Sequence, residues 1–161
     1  MSADQSLVLT VLDSWKQAHG RIDTLLASWS DEDLQQPVAP GRNRRYYLLG
    51  HLTAVNDRLL PLLRLGDRLH AELDEPFITN PDRTSPTDAI SAADLRAAWS
   101  EVNSKLDAAF DRLGPEEWLE RHDAISAEDF AKEPQRNRFA VLVSRTVHAA
   151  MHEGQMRLAS H

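Results

Sequence analysis

The sequence predicts an all-α fold, a four-helix bundle with a long loop between the second and third helices. Three observations predict it. Four stretches carry apolar residues at helical spacing, no stretch alternates apolar and polar residues as a half-buried strand would, and Pro and Gly clusters fall between the four. A chain of 161 residues reads as a single domain, 1–161, long enough to bury a core of several helices without disulfides or metal staples. No internal repeat at solenoid periods is evident.

The first helix is predicted from Asp4 to Ser28, its buried stripe being Val8, Val11, Leu12, Trp15, Ile22, Leu25, Leu26 and Trp29. Ser30 then caps a short turn through Asp31, Glu32 and Asp33, which Pro37, Pro40 and Gly41 end. The second helix takes Asn43 as its cap and runs to Leu65, with Gly66 supplying the left-handed residue that ends it. Leu48, His51, Leu52, Val55, Leu59 and Leu62 form its inner side. Pro61 lacks the amide that would bond back to Asp57, so a kink is expected in the last turns. From Gly66 to Ile90 the chain has Pro76, Pro81 and Pro86 and no sustained period, and it reads as a long ordered loop.

Ser91 and Asp94 open the third helix, whose stripe is Leu95, Trp99, Val102, Leu106, Phe110 and Leu113, and Gly114 and Pro115 stop it. From Glu116 to Gln135 one or two short helical turns are expected, anchored by Trp118 and Phe130. The fourth helix begins near Asn137 and reaches about Ala159. At about 100° per residue, Val141, Ser144, Arg145, Met151, His152, Gln155 and Ala159 share a face with His148. Polar groups on that face would be costly to bury without partners, so it is expected to border a polar cavity. Glu153 points about 100° away from His152, toward solvent.

Hydrophobic residues at 42% and charged residues at 27% are normal for a soluble globular protein, and no apolar run approaches the ~18 residues of a membrane span. The N-terminus lacks the basic and apolar pattern of a secretory signal, so a cytoplasmic location and no membrane partner are expected. Cysteine is absent, which excludes disulfides and a thiolate ligand or nucleophile of the chain's own. The formal net charge of −7 argues against nucleic acid as a partner. The clusters Arg42, Arg44, Arg45 and Arg136, Arg138 either hold a small anion or are solvated surface.

The chemistry concentrates in His148 and His152, four residues apart and so one turn apart on one side of a helix. They are either two metal ligands or two polar interior residues. His51 is the candidate third ligand: it lies about eight residues, or ~12 Å, from the start of its helix, and His152 about seven, or ~11 Å, from the end of its own. Antiparallel helices with level ends would bring the three to one height inside the bundle. Three neutral imidazoles suit Zn, Ni, Fe or Cu and leave a coordination position open, the arrangement of a catalytic site. His19, on the first helix's stripe, is either a fourth ligand or a core residue bonded to a carbonyl. The pattern is not the zinc-protease H-E-x-x-H, because Ala149 follows His148.

Gly50-His51-Leu52, together with His148, His152, Gly154 and Gln155 in H-x-x-x-H-x-G-Q, resembles the DinB/YfiT-like family of metalloenzymes over nearly the whole chain. The resemblance implies a four-helix bundle whose metal is bound by His51, His148 and His152, and often a homodimer. It also implies a divalent transition metal (Zn, Ni or Fe) as cofactor and a low-molecular-weight thiol, of the bacillithiol, mycothiol or glutathione type, transferred to an electrophilic substrate. Arg145 and Gln155 are candidates either for positioning substrate or for hydrogen bonds that support the histidines. A metal-dependent hydrolase and a non-catalytic, stress-related metal-binding or dimerising protein are the alternative expectations.

Overall fold

The computed structural model describes residues 2–84 and 90–158. Among them there is no strand, only two isolated bridges, Pro37 with Arg44 and Arg121 with Asn137. The helices are α1 (Ala3–Ser28), α2 (Asp31–Leu34), α3 (Arg45–Asp57), α4 (Leu59–Leu62), α5 (Ala92–Phe110), α6 (Pro115–Trp118), α7 (Ala127–Lys132) and α8 (Arg138–Leu158). The long ones, α1, α3, α5 and α8, make the expected bundle, α1 packing chiefly on α8 and α3 chiefly on α5.

Apolar stripes and polar seams together set the packing. Trp15, Ile22, Leu52, Leu59, Leu95, Val102, Leu106 and Leu142 are all but inaccessible to solvent. Burying such side chains contributes about 1.5–3 kcal/mol each before chain entropy is charged against it. A buried indole N–H calls for an acceptor, and helix partners supply one to two of the tryptophans: Trp15 donates to Asp107 at 3.1 Å and Trp99 to Asp23 at 2.7 Å. Arg96 adds bonds to the carbonyls of Leu26 and Trp29, the end of α1. These partners descend in α5 as they ascend in α1, so the two helices are antiparallel.

Local chemistry sets most ends. Ser2, Ser30, Ser91 and Ser126 each cap a helix by accepting the amide three residues on. Asn137 does the same for α8, its Oδ1 accepting Ala140 N–H at 2.9 Å. At α3 the expected cap is displaced: Arg44, not Asn43, is the cap residue, and Asp82 accepts its amide at 2.7 Å from across the loop. The second helix also stops short of Leu65. It breaks at Arg58 and resumes as α4, the interruption that Pro61 imposes by withholding an N–H from Asp57. Gly66 is left-handed with φ 140°, as expected, but Arg64 already is at φ 58°. Gly114 and Pro115 do more than stop a helix, since they open α6.

The loop after Gly66 carries local structure in its described part, residues 66–84. It holds a 3-10 turn, Ala71–Leu73, and a π-helical turn, Glu75–Thr79. Neither is long enough to leave a period in the sequence. Both are held from α3, where Asp57, with no solvent exposure, accepts the amides of Leu69 at 2.8 Å and His70 at 3.1 Å and pairs with Arg68 at 2.9 Å. Arg68 and Arg58 then clamp Asp74, whose carboxyl they hold down at about 2. Pro86 lies outside the described residues.

Candidate metal centre

His51 lies in the second turn of α3, and the π-helical turn decides where it points. Phe77, completely buried, lies flat against Gly50: a β-carbon there would sit 2.3 Å from the ring's Cδ1. Only glycine at position 50 lets the turn come this close to α3. The Phe77 carbonyl then accepts the Nδ1–H of His51 at 2.9 Å, and Tyr47 stacks on the same imidazole at 6.4 Å between ring centroids. With the proton on Nδ1, the lone pair of Nε2 faces outward from α3.

On α8, His152 is oriented in the same way. Its Nδ1–H donates to the Gln155 side-chain oxygen at 2.8 Å, leaving Nε2 as a lone pair. His148 Nε2 lies 3.3 Å from His51 Nε2 and 3.1 Å from His152 Nε2. Ligand nitrogens of all three rings fall within 4.8 Å of one another. Three nitrogens at ~2.1 Å from a tetrahedral ion lie ~3.4 Å apart, so the triad fits a Zn-sized cation. A single proton on His148 could bridge only one of the two contacts, whereas a cation at the centre would meet all three lone pairs.

Electrostatics favour the neutral form of His148 and His152, the form a metal needs. Burial pushes His148 down to about 4, and the neighbouring His152, His51 and Arg145 push the same way. Burial also lowers His152, against the pull of its Gln155 bond. No carboxylate joins the cluster among the described residues.

Several expectations about this region change. The triad is not inside the bundle: His51, His148 and His152 are each half-buried, Ser144, Met151 and Gln155 are exposed, and Arg145 is half-buried. The histidine face of α8 borders the core because the side of α8 that packs inward is centred on Leu142, Ala149 and Met156, about a quarter turn away. Glu153 does not reach solvent. It is buried between α1 and α8, paired with Arg157 and with Arg21 at 3.8 Å, because the neighbouring helix supplies a cation that the sequence of α8 alone could not reveal. Ala159 lies outside the described residues.

His19 takes no part in the cluster. It is a core histidine, 2.9 Å from the Trp15 carbonyl through Nδ1 and accepting the Asn56 amide at 2.9 Å through Nε2, and burial lowers its pKa. The arginine clusters are not simple surface either. Arg44 pairs with Asp82 at 2.9 Å, Arg45 lies 4.4 Å from the Trp29 ring centroid, and Arg138 is buried 3.4 Å from Glu120. Arg136 pairs with Glu133, and Arg42 is exposed. Phe77 and Asp57, which build the support of His51, were not singled out by the sequence. The one signal for Phe77 is an aromatic residue in a stretch otherwise rich in Pro, Asp and Asn.

Comparison with known proteins agrees with this architecture. The DinB superfamily model matches residues 14–156. A crystal structure described as a conserved protein from Enterococcus faecalis superposes with a TM-score of 0.66 at 21% identity, covering 99% of this chain and 95% of that one. At that identity the likeness shows the fold alone. No curated protein matches the chain.

Proposed function

The chain belongs to the DinB superfamily, and from that premise we propose that His51, His148 and His152 bind a divalent transition metal, Zn, Ni or Fe, in an enzyme that transfers a low-molecular-weight thiol to an electrophile. The observation that carries this reading is the convergence of the three Nε2 atoms, two of them with their outer N–H groups fixed by the Phe77 carbonyl and the Gln155 amide. When bound, such an ion lowers the pKa of a coordinated nucleophile and holds its anion for attack.

A thiol suits that role: its free pKa of about 8.5 lies far below the ~15.7 of water, so the ion has less lowering to supply before the nucleophile ionises at neutral pH. The S–H proton passes to solvent, a C–S bond forms at the electrophile, and the displaced group leaves with its electron pair. Arg145, close enough to His148 to act on its charge, adds positive potential where the thiolate would sit. Gln155 keeps His152 in the tautomer that offers Nε2.

The proposed assembly is a homodimer through the outer face of α8. Opposite the core that helix presents Ala140, Val143, Val147, Ala150, Met151, Gly154 and Leu158, with no charge among them. Val147 is 64% exposed and Met151 51% exposed. A β-carbon on Gly154 would meet nothing within 4 Å, so its lack of a side chain answers no need of this chain's own packing and leaves room for a neighbour's helix.

Elemental analysis of untagged protein, beside a variant carrying His148→Ala and His152→Ala, tests the metal. Near-stoichiometric metal lost in the variant, with metal-dependent thiol consumption by an electrophile, is expected. No metal and none taken up from Zn, Ni, Fe or Cu would overturn the reading. Ester cleavage without thiol turnover would replace the transferase by a hydrolase.

A further inference from the structure

A cavity of about 490 Å³ lies between the loop before α3 and the end of α8, with Arg42, Asn43 and Gln155 as its polar lining and Val38, Leu48 and Leu158 among its apolar lining. Its volume falls within the range of small-molecule sites. Among the described residues none that lines it is acidic, although the chain carries 25 Asp and Glu.

Its loop wall is preformed. Ala39, Pro40, Gly41 and Arg42 make a type II turn: Arg42 N–H bonds the Ala39 carbonyl at 3.0 Å, Pro40 takes the second position, and Gly41 takes the third with φ 72°. Val38 N–H to the Asn43 carbonyl and Arg45 N–H to the Gln36 carbonyl, each at 3.0 Å, close the loop on either side. The turn therefore fixes the Arg42 backbone at the cavity before any ligand binds, leaving only the side chain to be ordered. Arg42 also differs from its neighbours. Arg44 and Arg45 are engaged within the fold, while the Arg42 guanidinium has no partner among the described residues.

Gln155 joins this cavity to the triad. Its side-chain oxygen accepts from His152, and its amide N–H groups remain for whatever fills the cavity. We propose that the cavity binds a small organic acid by its carboxylate, with Arg42 as the counter-charge, Gln155 and Asn43 as neutral donors, and Val38, Leu48 and Leu158 around the hydrocarbon part. One guanidinium with two amides matches a planar, singly charged carboxylate. A phosphate dianion would call for a second cation, and none lines the cavity among the described residues. The anion site stands by itself, and only its coupling to the metal rests on the function proposed above. There it assigns the acidic end of a substrate to Arg42 and the reacting end to the histidines.

The test is a titration with hexanoate, 1-hexanol and inorganic phosphate at constant ionic strength, followed by amide chemical shifts and calorimetry. Hexanoate is expected to saturate, moving the Gly41, Arg42 and Asn43 amides and the Gln155 side-chain amide. Arg42→Gln, a change at an exposed and unpaired side chain, is expected to weaken it at least tenfold while shifts elsewhere stay in place. Hexanol binding as well as hexanoate, phosphate binding as well as hexanoate, or an unaltered Arg42→Gln protein would each overturn the proposal. Hexanoate binding that persists in the His148→Ala, His152→Ala protein separates this site from the metal reading. Zinc loading is expected to change hexanoate affinity at least twofold in the parent protein and not in Gln155→Ala. An equal response in both would overturn the coupling.

Discussion

A single missing β-carbon does more for the triad than any charged group around it. Gly50 lets the Phe77 ring lie on α3, and the Phe77 carbonyl fixes the proton of His51. Gly50→Ala drives a methyl into that ring, an overpacking that typically costs about 1–3 kcal/mol. It is expected to lower the urea midpoint and also to weaken zinc binding about tenfold, read by chelator competition. His148 gives a pH dependence. Its folded pKa, about 4, lies below its ordinary 6.5, so between those values the unfolded chain holds more protons. The metal-free protein should be most stable above pH 6.5 and lose stability as the pH falls toward 4, and His148→Leu should flatten that slope in denaturant titrations.

Among the elements, the π-helical turn Glu75–Thr79 is the one that makes α3 a ligand-bearing helix, and Asp57 holds it in place from the helix's last position. The carboxylate satisfies two backbone amides and Arg68 at once, and Arg68 hands the constraint on to Asp74, next to the turn. Asp57→Ala removes the acceptor of those two amides and the partner of Arg68 and is expected to cost about 3 kcal/mol of unfolding free energy. Hydrogen exchange should rise first between Leu69 and Asn80, with α1 and α5 still protected. Uniform loss of protection would mean that the loop is not a separately held element. Helix α8 divides its surface three ways: Leu142, Ala149 and Met156 inward, His148 and His152 at the border, Val147 and Met151 outward.

At the scale of the molecule, that outward face is the feature the bundle itself does not use. A chain of net charge −7 repels its own copies over most of its surface, and the uncharged α8 strip is where two copies can meet. A twofold pairing would set the same strip against itself. Sedimentation equilibrium is expected to give a dimer that Val147→Glu with Met151→Glu converts to monomer without loss of helicity. A monomeric parent protein would remove the dimer from the proposed function. No helix among the described residues is long and apolar enough to cross a membrane.

By itself the sequence determined the four long helices, most of their ends and the identity of the three histidines. Those depend on spacing and short-range chemistry: Leu95, Trp99, Val102 and Leu106 repeat at the helical period, Ser91 caps the residues just after it, and His148 and His152 need only one helix to be aligned. What only the tertiary structure decided was everything held by partners far along the chain. Asp82 caps α3 from 38 residues away and Phe77 orients His51 from 26. Arg21 turns Glu153 inward, and the packing of α8 leaves the histidines at the border of the core rather than within it. The physical reason is that a helix period reports which side chains share a face, whereas burial and hydrogen-bond partnership depend on what the fold brings against that face.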